Sequence, residues 1–212
     1  MERYRAGIPW RDLPERFGDW KNVHRRFSRW AKNGVWERIF QHLSGDVDNE
    51  YAMIDATIVR AHQHSAGARK KKGPQAIGRS KGGLSTKIHA MCDALGNPTS
   101  FTLTAGQVHD LHGSDALLPG MTADTLIADK AYDADERVLI PLAAAGKSAV
   151  IPPKSNRNVQ REYDKELYKA RHLIENLFLK IKEYRALATR YDKTDQNFLA
   201  AIFAVAAVIW LN

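Results

Sequence analysis

Three acidic residues stand where a metal site for cutting nucleic acid would need them. Asp55 closes the apolar run Tyr-Ala-Met-Ile-Asp, Asp129 closes Thr-Leu-Ile-Ala-Asp, and Glu175 lies in a helix-patterned stretch over 168–184. Carboxylates at strand ends and on a helix can converge on hard cations such as Mg²⁺, and two such cations drive phosphodiester chemistry. On a helical wheel Tyr168, Arg171, Glu175 and Lys182 share an arc of about 60°. Leu173, Ile174, Leu177, Phe178, Ile181 and Tyr184 occupy the opposite side. One reading makes Glu175 a metal ligand, with Arg171 and Lys182 holding phosphate. The other is a solvated amphipathic helix whose Arg171–Glu175 pair contributes about 0.2–0.5 kcal/mol, and for the helix alone this second reading is favoured. The aspartates shift the balance. An acid ending an apolar strand either caps the following turn or, if buried unpaired, costs enough to need a cation. Two strand acids and a helix acid in a basic chain favour the metal site.

Those side chains need elements to hold them. Alternation and β-formers predict a strand over 51–61, followed by a basic, glycine-rich mobile loop over 62–83. Strands over 84–92 and 99–103 flank a turn at 94–98, and a helix is expected over 108–118. A short buried strand at 125–128, a helix over 133–145 stopped by Gly146 and a strand over 148–151 stopped by Pro152 and Pro153 come next. Residues 157–191 read as mostly helical. The order predicts an α/β fold, a mixed sheet flanked by helices. Residues 1–44 are aromatic and basic and predict two or three short helices. A polar hinge at 45–49 separates them from a domain over 50–212.

The chain has 212 residues, a net charge of +8 and a pI near 9.6. That charge favours a polyanionic partner. The single cysteine, Cys92, excludes a disulfide framework and a cysteine-rich zinc site. The histidines His62, His64, His89, His109 and His112 match no zinc spacing. The charged N-terminus has no apolar signal core. The apolar run 198–211 is too short to span a bilayer comfortably and suits a buried helix, so no membrane partner is expected. Arg60, Arg69, Lys70, Lys71, Lys72, Arg79, Lys81 and Lys87 form an acid-free basic run that reads as nonspecific DNA contact or as a solvated charge run. Arg25, Arg26 and Arg29 lie on a Trp-flanked helix. They could reach a DNA groove as part of an incomplete helix-turn-helix, or belong to a small packed cap.

The contexts of the acids add a resemblance. Ile-Asp-Ala-Thr surrounds Asp55, and Ala-Asp-Lys-Ala-Tyr runs from Asp129 to Tyr132. Tyr168, Arg171, Glu175 and Lys182 give Y-x2-R-x3-E-x6-K, and the segments 77–89 and 105–110 add to the pattern. From about Gly7 to the C-terminus the chain resembles the DDE transposases of bacterial insertion sequences, specifically the insertion-sequence-5 group. The resemblance implies a ribonuclease-H-like fold in which Asp55, Asp129 and Glu175 meet at metal-bridging distance and bind two Mg²⁺ ions, with Mn²⁺ substituting. One ion would activate water and later a DNA 3′-hydroxyl, and the other would stabilise the leaving oxygen. No covalent protein–DNA bond is implied, so Tyr132 and Tyr168 need not be nucleophiles. Arg171 and Lys182 would contact phosphate or position Glu175, and Lys130 would help neutralise phosphate. The implied partners are double-stranded DNA (the element's terminal inverted repeats and target DNA) and a second copy of the chain, in the bacterial cytoplasm at the nucleoid. The family carries further residues before Gly-Ile-Pro-Trp, so a truncated copy, a split reading frame or a late start is expected here. Rival readings are a catalytically silent DNA-binding remnant that represses the element, and a ribonuclease-H-like nuclease acting on RNA–DNA hybrids.

Overall fold

The computed structural model describes residues 1–67 and 75–211. After a short helix α1 (Glu2–Ala6) and two single 3₁₀ turns, α2 (Trp20–Lys32) and α3 (Val35–Leu43) form a helical pair. The Asp19 carboxylate caps α2 by accepting from the Asn22 amide at 3.0 Å. Strand β1 (Ala52–Ala61) starts the sheet, and β2 (Gly78–Ser80), β3 (Gly83–Cys92) and β4 (Pro98–Ala105) follow. Next come α4 (Leu111–Leu117), β5 (Thr125–Ala128), α5 (Ile140–Ala144) and β6 (Ser148–Val150). The chain ends with α6 (Lys165–Tyr168), α7 (His172–Lys182), α8 (Arg185–Ala188), β7 (Thr189–Arg190) and α9 (Asp195–Trp210).

Strand β1 is the sheet's centre. It runs antiparallel to β3, from Met53 opposite Cys92 to Arg60 opposite Ser85. On its other edge it runs parallel to β5, with Ile54 opposite Ala128, and further along parallel to β7. Strand β3 carries β4 and β2 on its outer edge, and β5 carries β6 in parallel. The result is the expected ribonuclease-H-like mixed sheet with helices on both faces.

Strand alternation sorts the core into two layers. Met53 and Ile127 point into a cluster with Ile174, Leu177, Phe178 and Ile181 of α7 and Phe198, Ile202 and Val205 of α9. Ile54, Leu126 and Ala128 point the other way, onto Leu111 and Leu117 of α4 and Leu142 of α5. Helix α9 is apolar nearly all round, and everything from Ala200 to Ala207 is buried. Its other side receives the N-terminal helices: Phe40 of α3 meets Phe203 at a ring separation of 5.3 Å and Phe101 of β4 at 5.8 Å. No helix among the described residues is long and apolar enough to cross a membrane.

Three sequence expectations need correction. The helix expected from 157 begins at Lys165, because the preceding polar segment is recruited elsewhere: buried Asp133 accepts from the Lys154 amide, Arg157 and Arg161. The helical stretch then breaks at Tyr184, and Thr189–Arg190 pairs with β1 as a strand rather than continuing helically. The loop at 62–83 contains a 3₁₀ turn at Gln63–Gly67 and the strand β2, while Arg69, Lys70, Lys71 and Lys72 lie outside the described residues.

Candidate active site

Asp55 and Thr57 lie on the face of β1 that looks toward α7, on the same side as Met53. The register places Asp129 alongside. Ile54 pairs with Ala128; Asp55 is the next residue on β1, and Asp129 is the first residue past the end of β5. Helix α7 then brings a basic and acidic edge over the same sheet face, because its apolar side is spent on Ile174, Leu177, Phe178 and Ile181.

Arg171 is the junction. Its Nη2 donates to Asp55 Oδ2 at 2.9 Å and its Nη1 to Glu175 Oε1 at 2.5 Å. The i,i+4 pair visible in the sequence is therefore present, and the same guanidinium also reaches across to β1. Lys182 donates to Thr57 Oγ1 at 2.6 Å, fastening the far end of α7 to the same strand. Tyr168 is partly buried and meets Tyr163 edge-on at 5.5 Å.

Each carboxylate has a different setting. The Asp55 side chain is only 16% exposed. Burial raises its pKa, its hydrogen bond from the Ala56 amide and the Arg171 charge pull it down, and Asp129 and Asp110 push it further up. Asp129 Oδ1 accepts from the Ala131 amide at 2.8 Å and caps the 3₁₀ turn Lys130–Tyr132, so the capping alternative holds for this residue. Glu175 is 53% exposed. For Arg171, burial works against the charge, but Asp55 and Glu175 outweigh it and raise the pKa. Tyr132 is fully buried with an unpartnered hydroxyl; burial first, then the field of Asp55, Asp110 and Asp129, pushes its pKa up.

The expected meeting of all three acids on one point is not observed. Among the described residues no group of three or more His, Cys, Asp or Glu side chains closes around a common metal position. Instead, Arg171 bonds Asp55 and Glu175 with its two prongs. The donor set still suits a hard divalent cation: the groups are all carboxylate oxygens, and a positive group already sits between two of them.

The other candidates are dispersed. Lys130 is exposed beside Asp129. Lys87 is in the strand expected over 84–92. It lies on β3, 12% exposed, and donates to Asp110 and the Val108 carbonyl, both at 2.6 Å. Arg79 and Lys81 are exposed at the end of the sheet. Arg79 pairs with Leu84, while Asp55 pairs with Ala90. Six residues of strand put them roughly 20 Å apart. Arg25, Arg26 and Arg29 are exposed on α2. Sequence reasoning missed Thr57 as the Lys182 anchor, although its place two residues after Asp55 put it on the same strand face. It also missed the Asp133 hub, which ties the segment before α6 to the chain just past Asp129, and no local pattern signals that hub.

Comparison with known proteins adds to this geometry. A family model described as "Transposase DDE domain" matches residues 50–211, and one described as "Putative transposase of IS4/5 family" matches residues 1–40. A Sinorhizobium fredii protein named "Uncharacterized protein y4sN" is 55% identical over 69 residues, which is 32% of this chain and 55% of that one. A Brucella ovis protein named "Putative transposase for insertion sequence element IS6501" is 36% identical over 130 residues, 61% of this chain and 100% of that one. The chain thus spans about half the length of the first relative and all of the second. No solved structure matches.

Proposed function

The chain belongs to the transposase DDE domain family, and from that membership we propose that it cuts and joins DNA to move an insertion sequence, with Asp55, Asp129 and Glu175 as its metal-holding carboxylates. The observation that carries the reading is the single Arg171 side chain bonded to Asp55 and Glu175 at once, with Asp129 just past the end of β5, the parallel neighbour of β1. Two of the three acids, from distant stretches of chain, are thereby joined through one side chain.

Family chemistry depends on divalent metal; Asp55, Asp129 and Glu175 would hold Mg²⁺, which would supply charge stabilisation at the phosphodiester and would make the attacking hydroxyl more acidic. The protein's own groups supply the rest. The parallel register of β1 and β5 fixes the two aspartates relative to each other. Lys182 holds α7 on β1 through Thr57, so Glu175 stays over the same face. Lys130 and Arg171 provide cations for phosphate next to the acids. Tyr132 is packed in the core layer under α4 and α5 and Tyr168 is partly buried before α7, and burial raises both pKa values, so neither is called on as a nucleophile. Arg25, Arg26 and Arg29 on α2, with Arg79 and Lys81 at the sheet's end, would meet the phosphate backbone farther out. Double-stranded ends of the element are the proposed substrate, and processing two ends calls for two copies of the chain on DNA.

Duplex DNA carrying the element's ends, incubated with the purified chain and Mg²⁺ or Mn²⁺, should be cleaved and joined. Asp55→Ala, Asp129→Ala and Glu175→Gln should each lower that activity by more than about 100-fold, beyond the 10–100-fold effect of outer partners at a metal site. End binding without cleavage would replace the reading with a DNA-binding remnant, and preference for RNA–DNA hybrids would replace it with another nuclease.

A further inference from the structure

Arg171 occupies oxygen atoms that a divalent cation would need. Both oxygens of Asp55 are engaged, Oδ1 by the Ala56 amide and Oδ2 by Arg171. Glu175 Oε1 is engaged by the other prong of the same guanidinium. The Asp55 arm of the bridge is set into the protein, with Arg171 22% and Asp55 16% exposed, while Glu175 is 53% exposed. Arg171 Nε is buried without a hydrogen-bond partner, so the carboxylates are what the group is held by. No ion pair holds Asp129, the third acid, among the described residues. Two prongs on two acids from different elements make a cation-shaped contact, yet the cation is part of the chain.

A guanidinium and a metal ion compete for those oxygens. Each carboxylate oxygen has two lone pairs, but a divalent ion bound at about 2.0–2.6 Å would bring its charge against the Arg171 cation, and like-charge repulsion sets the two occupants against each other. Lys182 offers a contrast, since it is held by Thr57 and not by an acid, so it does not compete.

We infer that Arg171 is an internal counter-ion, holding the Asp55–Glu175 pair together in the metal-free chain and giving up its position when a divalent cation binds. This rests on the proposed metal-holding role of those acids. It predicts that metal affinity in the DNA-free protein is held down by an occupied site, by the fraction of molecules in which Arg171 is bridged. Glu175 reaches the common position only after release, which accounts for acids that line one sheet face without closing on one point.

The test titrates Mn²⁺ into the full chain without DNA and reads free Mn²⁺ by electron paramagnetic resonance. Asp55→Asn identifies the binding that requires this site. Arg171→Ala should bind Mn²⁺ about tenfold more tightly at the Asp55-dependent site, as expected for removing a state populated about nine-tenths of the time. Arg171→Lys keeps the charge but loses the two-pronged reach. Its affinity should fall between wild type and Arg171→Ala, and it decides the question if the alanine variant fails to fold. Asp55-dependent binding that neither variant strengthens overturns the counter-ion role and leaves the proposed function standing. Absence of Asp55-dependent binding in wild type and both variants overturns both.

Discussion

At the scale of single residues, Tyr132 separates what burial does from what a partner does. Its ring is fully buried and its hydroxyl has no hydrogen-bond partner. Burying a hydroxyl unpaired costs about 1–3 kcal/mol, so removing it should not harm the fold. Tyr132→Phe is expected to unfold in urea at the same midpoint or a higher one, with stability up by about 1 kcal/mol at most. A clear loss of stability would show that the hydroxyl has a partner after all. A loss of DNA cleavage at unchanged stability would place it against substrate. Legibility in the sequence also divides at this scale. The Arg171–Glu175 pair follows from helical spacing alone. The Arg171–Asp55 bond does not, because 116 residues separate its partners and only the folded sheet brings them together.

At the scale of elements, helix α4 packs so closely on β3 that it leaves no room for a side chain at Gly113: a Cβ there would lie 2.2 Å from His89 Nδ1. His89 is fully buried, with Nε2 bonded to Thr104 on β4 at 2.8 Å and Nδ1 unpartnered. Burial lowers its pKa to about 4; Asp110 acts in the opposite direction, and Lys87 and His112 add to the lowering. The folded value lies below the ordinary 6.5, so this contribution to stability is complete above pH 6.5. It is lost progressively as the pH falls toward 4, because the unfolded chain takes up the proton first. About 2 kcal/mol should be gone by pH 5. Urea unfolding at pH 7.5 and pH 5 measures it, and His89→Gln should flatten the difference. An unchanged slope in that variant would assign the pH dependence to other groups. The elements themselves were unevenly legible. The strand at Thr125–Ala128 is where its apolar run placed it, because a short buried strand between turn residues is a local signal. The irregular segment before Lys165 was hidden, since its conformation is set by Asp133, more than twenty residues earlier in the chain. The two-residue strand β7 was hidden too, because its support is tertiary: it pairs with the end of β1, and Arg190 is buried against Thr86 of β3 and Phe198 of α9.

At the scale of the whole molecule, the question is whether residues 1–43 stand apart from the sheet. The family matches fall on 1–40 and 50–211, a division that also follows from the polar hinge in the sequence. Packing joins what the matches divide. Tyr4, Phe27, Ala31 and Phe40 belong to the same buried cluster as Met53, Ile174 and Phe198. Aromatic spacing announced the helices but not the surface they would cover. That surface is α9, whose alanines let α3 approach closely while Phe203 meets Phe40. Phe40 is 1% exposed at the centre of this junction, and truncating it leaves a cavity shared by both parts. Phe40→Ala should cost about 3–5 kcal/mol. Wild type and variant should each unfold in one transition, because neither part keeps a closed core without the other. Four of the five tryptophans, Trp10, Trp20, Trp30 and Trp36, precede the hinge, so in a Trp210→Phe background fluorescence follows the N-terminal helices while far-ultraviolet circular dichroism follows the whole chain. The two curves should coincide in that background and shift together when Phe40→Ala is added. If fluorescence changes first, the helices are a separately melting appendage, and the sheet is stable without them.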